Sequence, residues 1–314
     1  MKKYIKKRIL NFLDKKGFQR KLIGEDPKVN LYDQMKYVFT PKNDKIISII
    51  FSKDRAMQLD GFLASYFENV ENYSEIKVLF HVSNEAHEKS YIDLQKIYEN
   101  FPVEFIQETN FRVNLIDALE KSSEDRLIFY VDDMLFSQKI DYSWLKNIDP
   151  LNNIVCLSRG KDLNYSTVLA KKLEVPSFNK ISENLYQFKW NEISEFSDWT
   201  YPIGVSGYMF SRLEITAMIK ATKFKAPNSL EHNLQQFLPY FTMRGGICLE
   251  NVATPCVHTN LTQTEGYNNI LGHYSLEELL DLWNINKRIN YSEFIGLKVS
   301  EAEVKKYNFI SRDE

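Results

Sequence analysis

The chain has 314 residues, of which 44% are hydrophobic and 26% are charged, as in an ordinary soluble globular protein. Its formal net charge of −2 argues against general nucleic-acid binding. Three cysteines, Cys156, Cys248 and Cys256, form no CxxC pair and no zinc-type spacing, which favours reduced thiols in a cytoplasmic protein. No run is apolar and long enough for a membrane span or a signal peptide.

The first 24 residues differ in charge from the rest of the chain. Residues 1–21 contain nine lysines or arginines and one acid, Asp14. Apolar residues recur at helical spacing from Ile5 to Leu13, so the segment predicts a basic amphipathic helix over 1–24. Such a helix suits the surface of an anionic membrane, and a solvated helix packed on the domain is the alternative.

Strands and helices alternate through the first half of the chain. The apolar run at 45–51 predicts a strand buried on both faces, and helical spacing follows at 57–70. The alternation continues with strands predicted at 76–82, 103–108 and 126–131, and helices at 85–100 and 114–122. This order predicts an α/β fold with an open mixed, mostly parallel sheet and helices on both faces.

The second half is less regular and predicts additions to the same sheet. Strands are predicted at 153–159, 184–190, 205–210 and 246–252, and helices at 212–221, 229–241 and 275–289. In the helix at 229–241, Ser229 is placed to cap the N-terminus and Glu231 falls in the first turn. We therefore expect one domain at 45–273, followed by a C-terminal helix and tail at 274–314.

Two adjacent aspartates, Asp132 and Asp133, end the fourth predicted strand, in the sequence RLIFYVDDMLF. Adjacent carboxylates repel, and burying either one unpaired is costly, so a cation is expected beside them. A hard divalent ion such as Mg²⁺ or Mn²⁺ prefers such oxygen ligands. The alternatives are a turn cap or an ion pair with Arg55 or Arg112.

Polar residues follow two other predicted strands at the same edge of the sheet. Ser52, Asp54 and Arg55 follow the first strand, and Asn110 and Arg112 follow the third. Ligands of open α/β sheets bind outside the carboxyl ends of the strands. The convergence of these polar groups therefore predicts a binding site there.

With this strand order, the segment FSKDR and the motif YVDDML, residues 45–265 resemble the GT-A glycosyltransferases, in their nucleotide-sugar-dependent, family-2-like group. The resemblance implies a Rossmann-like nucleotide-binding half at 45–137 and an acceptor half at 138–273. It also implies transfer of a hexose from a nucleotide-sugar donor to a glycan or lipid-linked acceptor in bacterial-type surface polysaccharide synthesis. The basic helix would then hold a cytoplasmic enzyme at the inner face of the membrane.

The resemblance assigns the donor to the strand ends. Asp133 would be the main ligand of Mn²⁺ or Mg²⁺, with Asp132 facing the ribose or the metal, because Val131 departs from the commoner Asp-x-Asp pattern. His258 would be a third metal ligand, unless it is a hydrogen-bonded structural residue. The nucleotide would contact polar residues of these strand ends, namely Ser52, Asp54, Arg55, Asn84, Asn110, Arg112 and Asp132.

The resemblance assigns the chemistry to the acceptor half. Glu231 would be the catalytic base of an inverting reaction, unless it only completes a helix cap. His232 is an alternative base or an acceptor contact. Trp199, Tyr201 and Gly207 would line the sugar pocket, and a glycine-containing turn into a buried strand is the alternative.

Two other classes of protein stay open. A sugar nucleotidyltransferase uses a related sheet, but it would carry a glycine-rich loop after the first strand, and FSKDRAMQLDG has no glycine cluster. A catalytically inactive glycan-assembly or binding protein could keep the same fold. Slow metal-dependent hydrolysis of a nucleotide sugar would distinguish an enzyme from such an inactive protein.

Overall fold

A computed structural model describes residues 27–260, 262 and 272–313 of the chain. The predicted basic helix at 1–24 lies outside the described residues. The helices of the described part are α1 Pro27–Met35, α2 Ala56–Asn69, α3 Glu85–Ile97, α4 Phe111–Lys121, α5 Arg212–Lys220, α6 Pro227–Leu234, α7 Leu276–Asn284 and α8 Val299–Ala302. None of these described helices combines the length and the apolar character that a bilayer crossing requires.

The strands fall into one large sheet and three short pairs. The strands of the large sheet are β1 Ile46–Lys53, β3 Glu75–His81, β4 Val103–Gln107, β5 Arg126–Val131, β7 Asn153–Gly160, β10 Asn179–Ser182, β11 Leu185–Lys189, β12 Tyr208–Ser211 and β13 Gly245–Leu249. The short pairs are β2 Val70–Glu71 with β6 Ile140–Asp141, β8 Tyr165–Ser166 with β9 Lys171–Lys172, and β14 Lys287–Ile289 with β15 Phe309–Ser311.

The large sheet has the strand order β10-β11-β13-β7-β12-β5-β1-β3-β4. Strands β4, β3, β1 and β5 pair in parallel, whereas β11 and β12 run against the other seven strands. The predicted fold class, a mixed and mostly parallel α/β sheet, is therefore confirmed. The strand order reverses between β1 and β5, which is the kind of position where open α/β sheets bind ligands.

Helices cover both faces of the sheet because its strands are apolar on both faces. In β1 the first seven residues, from Ile46 to Ser52, are all buried. One core, beneath α2, α3 and α7, contains Phe62 and Trp283. The other core, beneath α4, α5 and α6, contains Leu115 and Leu230.

Two predicted helices end earlier than the sequence pattern indicates. The helix predicted at 229–241 is α6 followed by a 3₁₀ helix from Gln235 to Tyr240, which contains Pro239. The helix predicted at 275–289 ends at Asn284, and the next residues form β14 instead. Asn286, with a positive φ of 64°, terminates it, because the left-handed conformation cannot continue an α-helix.

The predicted tail at 274–314 packs on the same core as the first half of the chain. Its buried residues Leu279, Phe294 and Tyr307 belong to the core beneath α2 and α3. Arg288 of β14 donates two hydrogen bonds to the fully buried carboxylate of Asp60 in α2, at 3.0 and 2.8 Å. The C-terminal segment is therefore part of the structure around the predicted site.

Candidate active site

The cation beside the acidic doublet is the guanidinium of Arg55. Its Nη1 lies 3.0 Å from Asp132 Oδ1 and 3.2 Å from Asp133 Oδ2. Arg55 precedes α2 and the aspartates follow β5, so the ion pair joins two adjacent parallel strands at the reversal of strand order. The structure therefore contains the ion pair with Arg55 that the sequence analysis gave as an alternative partner of the doublet.

Asp132 is held on both of its oxygens. Oδ2 accepts hydrogen bonds from Ser52 Oγ at 2.8 Å and from the Lys53 backbone N–H at 3.3 Å. Ser52 in turn contacts the hydroxyl of the buried Tyr91. Burial raises the pKa of Asp132 to about 6, against the lowering effect of Arg55. Asp132 is thus a fixed, buried part of the strand ends.

Asp133 is more open and has unused hydrogen-bonding capacity. Its side chain is 17% exposed, yet its Oδ1 is buried and has no hydrogen-bond partner among the described residues. Close by, Asn260 accepts from Arg55 Nη2 and from Gln58, but its own Nδ2 is also without a partner in the described part of the chain. A water molecule, an ion or a ligand can complete such unpaired buried polar atoms.

Asp54 adopts a backbone conformation that is rare outside glycine, with φ of 56°. Its Oδ1 accepts a hydrogen bond from the Ser83 N–H at 2.8 Å. It borders a recess between the start of α2 and α7 of about 10 Å³, which is room for about one water molecule. This recess is therefore too small for a nucleotide base in the arrangement described.

The residues predicted at the neighbouring strand ends have structural roles. Asn84 caps α3 by accepting from the His87 N–H, and Asn110 caps α4 by accepting from the Val113 N–H. Arg112 donates to the backbone carbonyls of Lys220 and Thr222, at 2.8 and 3.0 Å, and so joins α4 to the end of α5. The structure thus gives each of these side chains a structural role at a helix end, and their contact with a nucleotide stays a prediction.

A cavity of about 420 Å³ opens on the acceptor-half side of the doublet. Glu231, Tyr201, Arg159, His258 and Glu303 contribute to its wall. The segment that carries Pro255 and Cys256 separates the cavity from the doublet, and the next N–H, of Val257, donates to the Asp133 carbonyl at 2.7 Å. The cavity and the acidic doublet are thus neighbouring parts of one site.

Glu231 reaches this cavity from the middle of α6. Its Oε1 accepts from the Tyr201 hydroxyl and its Oε2 from the Val205 N–H, each at 2.9 Å. Burial raises the pKa of Glu231, while the Val205 and Tyr201 hydrogen bonds oppose the rise. A carboxylate with a raised pKa is suited to accept a proton near neutral pH.

Glu231 does not complete the N-terminal cap of its helix, which was the alternative interpretation of this residue. The helix begins at Pro227 with Ala226 as its N-cap residue, and Ser229 Oγ accepts from the Ala226 N–H at 3.1 Å. Ser229 is therefore the third helical residue and not the predicted N-cap, although its hydroxyl accepts from the N-cap N–H. Glu231 instead bonds to a different segment, which leaves its carboxylate on the cavity.

Three predicted sugar contacts lie elsewhere. Trp199 is fully buried among Phe178 and Phe188, and its Nε1 donates to the Leu163 carbonyl at 3.1 Å. Gly207 has a φ of 78°, and its backbone forms hydrogen bonds with Phe129 and Leu157 inside the sheet. This agrees with the alternative interpretation, a glycine-containing turn into a buried strand.

His232, the third of these residues, is exposed and is absent from the cavity wall. It is the immediate neighbour of Glu231, and adjacent residues of a helix project in different directions. Of the predicted sugar contacts, Tyr201 is therefore the residue that the cavity wall contains.

His258 lies on the cavity wall and donates its backbone N–H to the Glu303 carbonyl at 3.2 Å. Among the described residues, no three His, Cys, Asp or Glu side chains are grouped as metal ligands. The predicted set of Asp132, Asp133 and His258 is thus not assembled here. Both carboxylates of the doublet are instead paired with Arg55, at 3.0 and 3.2 Å.

Sequence reasoning missed three charged residues of the cavity, Arg159, Asp198 and Glu303. Arg159, near the carboxyl end of β7, pairs with Asp198 at 3.3 Å and lies 5.9 Å from the centre of the Tyr208 ring. The strand-end rule that located the doublet, applied to the predicted strand at 153–159, indicates this arginine. Glu303 follows the short helix α8, and nothing local in the sequence distinguishes it.

No protein-family model matches the chain. A bifunctional glycosyltransferase, pgtA of Dictyostelium discoideum, is 26% identical over 292 residues, which cover 81% of this chain and 37% of that protein. The chain thus spans little more than a third of the length of this curated relative.

Solved structures give lower similarity. S. aureus TarS 1–349 superposes with a TM-score of 0.41 and 12% identity, over 67% of this chain and 59% of that one. A mannosyltransferase from Pyrobaculum calidifontis, PcManGT in complex with GDP-Man and Mn²⁺, gives 0.29 and 15%, over 45% and 47% of the two chains. Such scores establish no shared fold, so the relationship rests on the sequence. The resemblance to glycosyltransferases is confirmed, and the chain is a sequence relative of a glycosyltransferase.

Proposed function

We propose that the chain transfers a sugar from a nucleotide-sugar donor to a hydroxyl of a glycan or lipid-linked acceptor. One observation carries the proposal: a half-buried carboxylate with a raised pKa, Glu231, lines a cavity that adjoins an acidic doublet at the reversal of strand order. Such a site can accept a proton on one side and bind a diphosphate on the other. The relationship to a glycosyltransferase supports this assignment.

On the donor side, the residues present fit a divalent ion such as Mn²⁺ or Mg²⁺. Oδ1 of Asp133 has no hydrogen-bond partner among the described residues, so one buried carboxylate oxygen is available to an ion. The two carboxylates of the doublet also carry more negative charge than the single guanidinium of Arg55 neutralises. Asp133, with Asp132 behind it, would hold the ion. When bound, the ion would neutralise the charge that develops on a departing nucleoside diphosphate.

On the acceptor side, Glu231 acts as the base of an inverting reaction. Tyr201 and the Val205 N–H fix its carboxylate, so that no reorganisation is needed when it accepts the hydroxyl proton. The acceptor enters the cavity and presents its hydroxyl to Glu231. Phe196 and Tyr208 supply an aromatic part of the cavity wall against which a sugar ring can pack.

The membrane part of the proposal concerns the acceptor. The described chain begins with a region of exposed apolar residues, Leu31, Met35, Tyr37 and Val38, directly after the basic segment 1–21. Basic charge and exposed apolar side chains together suit an anionic lipid surface. These features support the proposal of a cytoplasmic enzyme at the inner face of a membrane, acting on lipid-linked acceptors for surface polysaccharide. Liposome flotation of the full chain against a chain lacking residues 1–21 tests it, since equal binding contradicts the idea.

The donor test is a thermal-shift screen of UDP-, GDP-, CMP- and dTDP-sugars, with and without Mn²⁺. We expect one nucleotide to raise Tm only with the ion, and the shift to vanish in Asp133→Ala but not in the exposed control Asp117→Ala. Stabilisation that ignores the ion contradicts the metal site. Absence of stabilisation by any nucleotide contradicts the proposed function.

A second measurement separates transfer from binding alone. Slow release of free sugar from the stabilising donor, lost in Asp133→Ala, indicates an active transferase. Release of pyrophosphate from a nucleoside triphosphate and a sugar phosphate would instead indicate a nucleotidyltransferase. Binding without either reaction would indicate an inactive relative.

A further inference from the structure

We infer that the cavity beside Glu231 binds a neutral sugar and excludes acidic ones, and that Glu303 is the residue that enforces this choice. The inference rests on the proposed function and deepens it, because it names the chemical class of the sugar and a specificity residue outside the predicted catalytic domain.

The charge of the cavity wall is the first argument. Its carboxylates are Asp198, Glu231 and Glu303, and its basic side chains are Arg159 and His258. Arg159 is already paired with Asp198 at 3.3 Å, which leaves two carboxylates and a histidine to meet a ligand. A uronic acid or a phosphorylated sugar would bring a further negative charge beside these carboxylates in a partly desolvated space, which is strongly unfavourable.

The cavity wall also offers an unpaired hydroxyl to a neutral polar ligand. Ser197 lines the cavity at only 4% exposure, and its Oγ has no hydrogen-bond partner among the described residues. Buried hydroxyls are rarely left unpaired unless a ligand or water completes them. At about 420 Å³ the cavity is within the range of small-molecule sites. Sugar hydroxyls can donate to carboxylates and accept from Ser197.

Glu303 and Glu231 differ in how the protein holds their side chains. Both oxygens of Glu231 already accept protein hydrogen bonds, which fixes it as the base. Glu303 is anchored through its backbone: its carbonyl accepts from the His258 N–H at 3.2 Å, and its N–H donates to the Val299 carbonyl at 2.9 Å. Its carboxylate lies near Thr167 and the side chain of His258. The buried Val299 and Ala302 anchor this turn. Its carboxylate is therefore positioned on the wall and suited to accept a hydrogen bond from a substrate hydroxyl.

The experiment compares matched pairs of simple glycosides that differ only at C6. Methyl β-glucoside is paired with methyl β-glucuronide, and methyl β-galactoside with methyl β-galacturonide. Binding to the full chain is measured by saturation-transfer NMR titration, for the wild type and for Glu303→Gln. Glu301→Gln is the matched control, because Glu301 lies two residues earlier and is exposed.

For at least one pair, we expect the neutral glycoside to bind the wild type at least tenfold more tightly than its acid. In Glu303→Gln the neutral glycoside should lose affinity about fivefold and the preference should shrink, while Glu301→Gln leaves both unchanged. If Glu303→Gln does not fold, Glu303→Asp, which withdraws the carboxylate by one methylene, should weaken the neutral glycoside in the same way.

Three results overturn the inference: no glycoside binds, the acids bind as well as the neutral sugars, or the Glu303 variants keep full affinity and preference. These outcomes are independent of the nucleotide screen. A chain that is stabilised by a nucleotide but fails here keeps the proposed function and loses the specificity assignment. A chain with the predicted sugar preference but no nucleotide response loses the transferase and keeps a sugar site.

Discussion

The Tyr201 hydroxyl donates a hydrogen bond to Oε1 of Glu231 at 2.9 Å. This contact links a residue of the loop before β12 to a residue of α6, and both face the same cavity. Burial raises the pKa of Glu231, and the hydrogen bond from Tyr201 opposes that rise because it stabilises the ionised form. The pKa of the Glu231 carboxyl therefore depends on a neighbour that was predicted to line the sugar pocket.

Replacing Tyr201 with Phe removes this hydrogen bond and leaves the ring. Glu231 should then lose its proton only at a higher pH, because the ionised form is less stabilised. The acid limb of the pH profile of kcat/KM should move upward, so activity near pH 5 falls more than activity near pH 8. An unshifted profile would mean that Glu231 is not the titrating base.

Replacing Glu231 with Gln removes the base but keeps the shape of the side chain. We expect kcat to fall by about 10²- to 10⁴-fold, the usual contribution of a positioned base. Stabilisation by the nucleotide should persist, since Glu231 lies on the cavity and not at the doublet. A variant with near-normal kcat would assign the proton transfer elsewhere, with Glu303 the next carboxylate on the wall.

Arg55 should matter for stability as well as for the site. Its side chain is 9% exposed and faces two carboxylates, so Arg55→Met leaves buried negative charge uncompensated. Such losses typically cost about 3–5 kcal/mol in the free energy of unfolding. Urea denaturation measures it, and Lys96→Met, at an exposed ion pair with Asp93, serves as a control expected to cost under about 1 kcal/mol.

Arg55→Lys should recover only part of that stability. A lysine ammonium can replace the charge, but it cannot contact Asp132, Asp133 and the Asn260 carbonyl with the planar geometry that Arg55 uses. Full recovery would show that charge alone holds the doublet.

Much of the fold was predictable because, in the first half of the chain, continuous apolar runs typical of buried strands alternate with apolar residues at helical spacing. Strand β5 is correct to the residue, and β1 and α2 differ from prediction by two residues or fewer at each end. The helix predicted at 275–289 is wrong beyond Asn284 because its last apolar residue, Ile289, belongs to a strand that pairs with Phe309. That partner lies 20 residues away, and local periodicity carries no information about such pairing.

The site was predictable only where local rules apply. The doublet and Arg55 follow from strand ends, whereas Glu231 was named only through the resemblance to GT-A enzymes. The cavity wall is built from segments around Arg159, Tyr201, Glu231, His258 and Glu303, which are separated by many residues in the chain. Trp199 illustrates the limit, since an aromatic residue near a sugar pocket and one in a core give the same sequence signal.

Trp199 should accordingly affect folding and not sugar recognition. It is fully buried against Phe178 and Phe188, so Trp199→Ala should cost about 3–5 kcal/mol in the free energy of unfolding. The glycoside affinities of the folded fraction should stay unchanged below the unfolding temperature. A selective loss of sugar binding with normal stability would restore Trp199 as a stacking platform.

The ion pair between Arg288 and Asp60 tests whether the C-terminal segment folds with the rest of the domain. Asp60 is fully buried in α2 and takes two hydrogen bonds from Arg288, at 3.0 and 2.8 Å. Arg288→Met leaves that carboxylate without its cation, and we expect about 3–5 kcal/mol of lost stability in a single cooperative urea transition. Lys287→Met, one residue earlier in β14, is the control and should change stability by under about 1 kcal/mol.

Removing both charges, in Asp60→Leu with Arg288→Met, should recover much of the loss, because an apolar pair needs no compensation in the core. A separate early transition in Arg288→Met would instead show that the segment carrying Glu303 unfolds on its own and is not a fixed wall of the cavity.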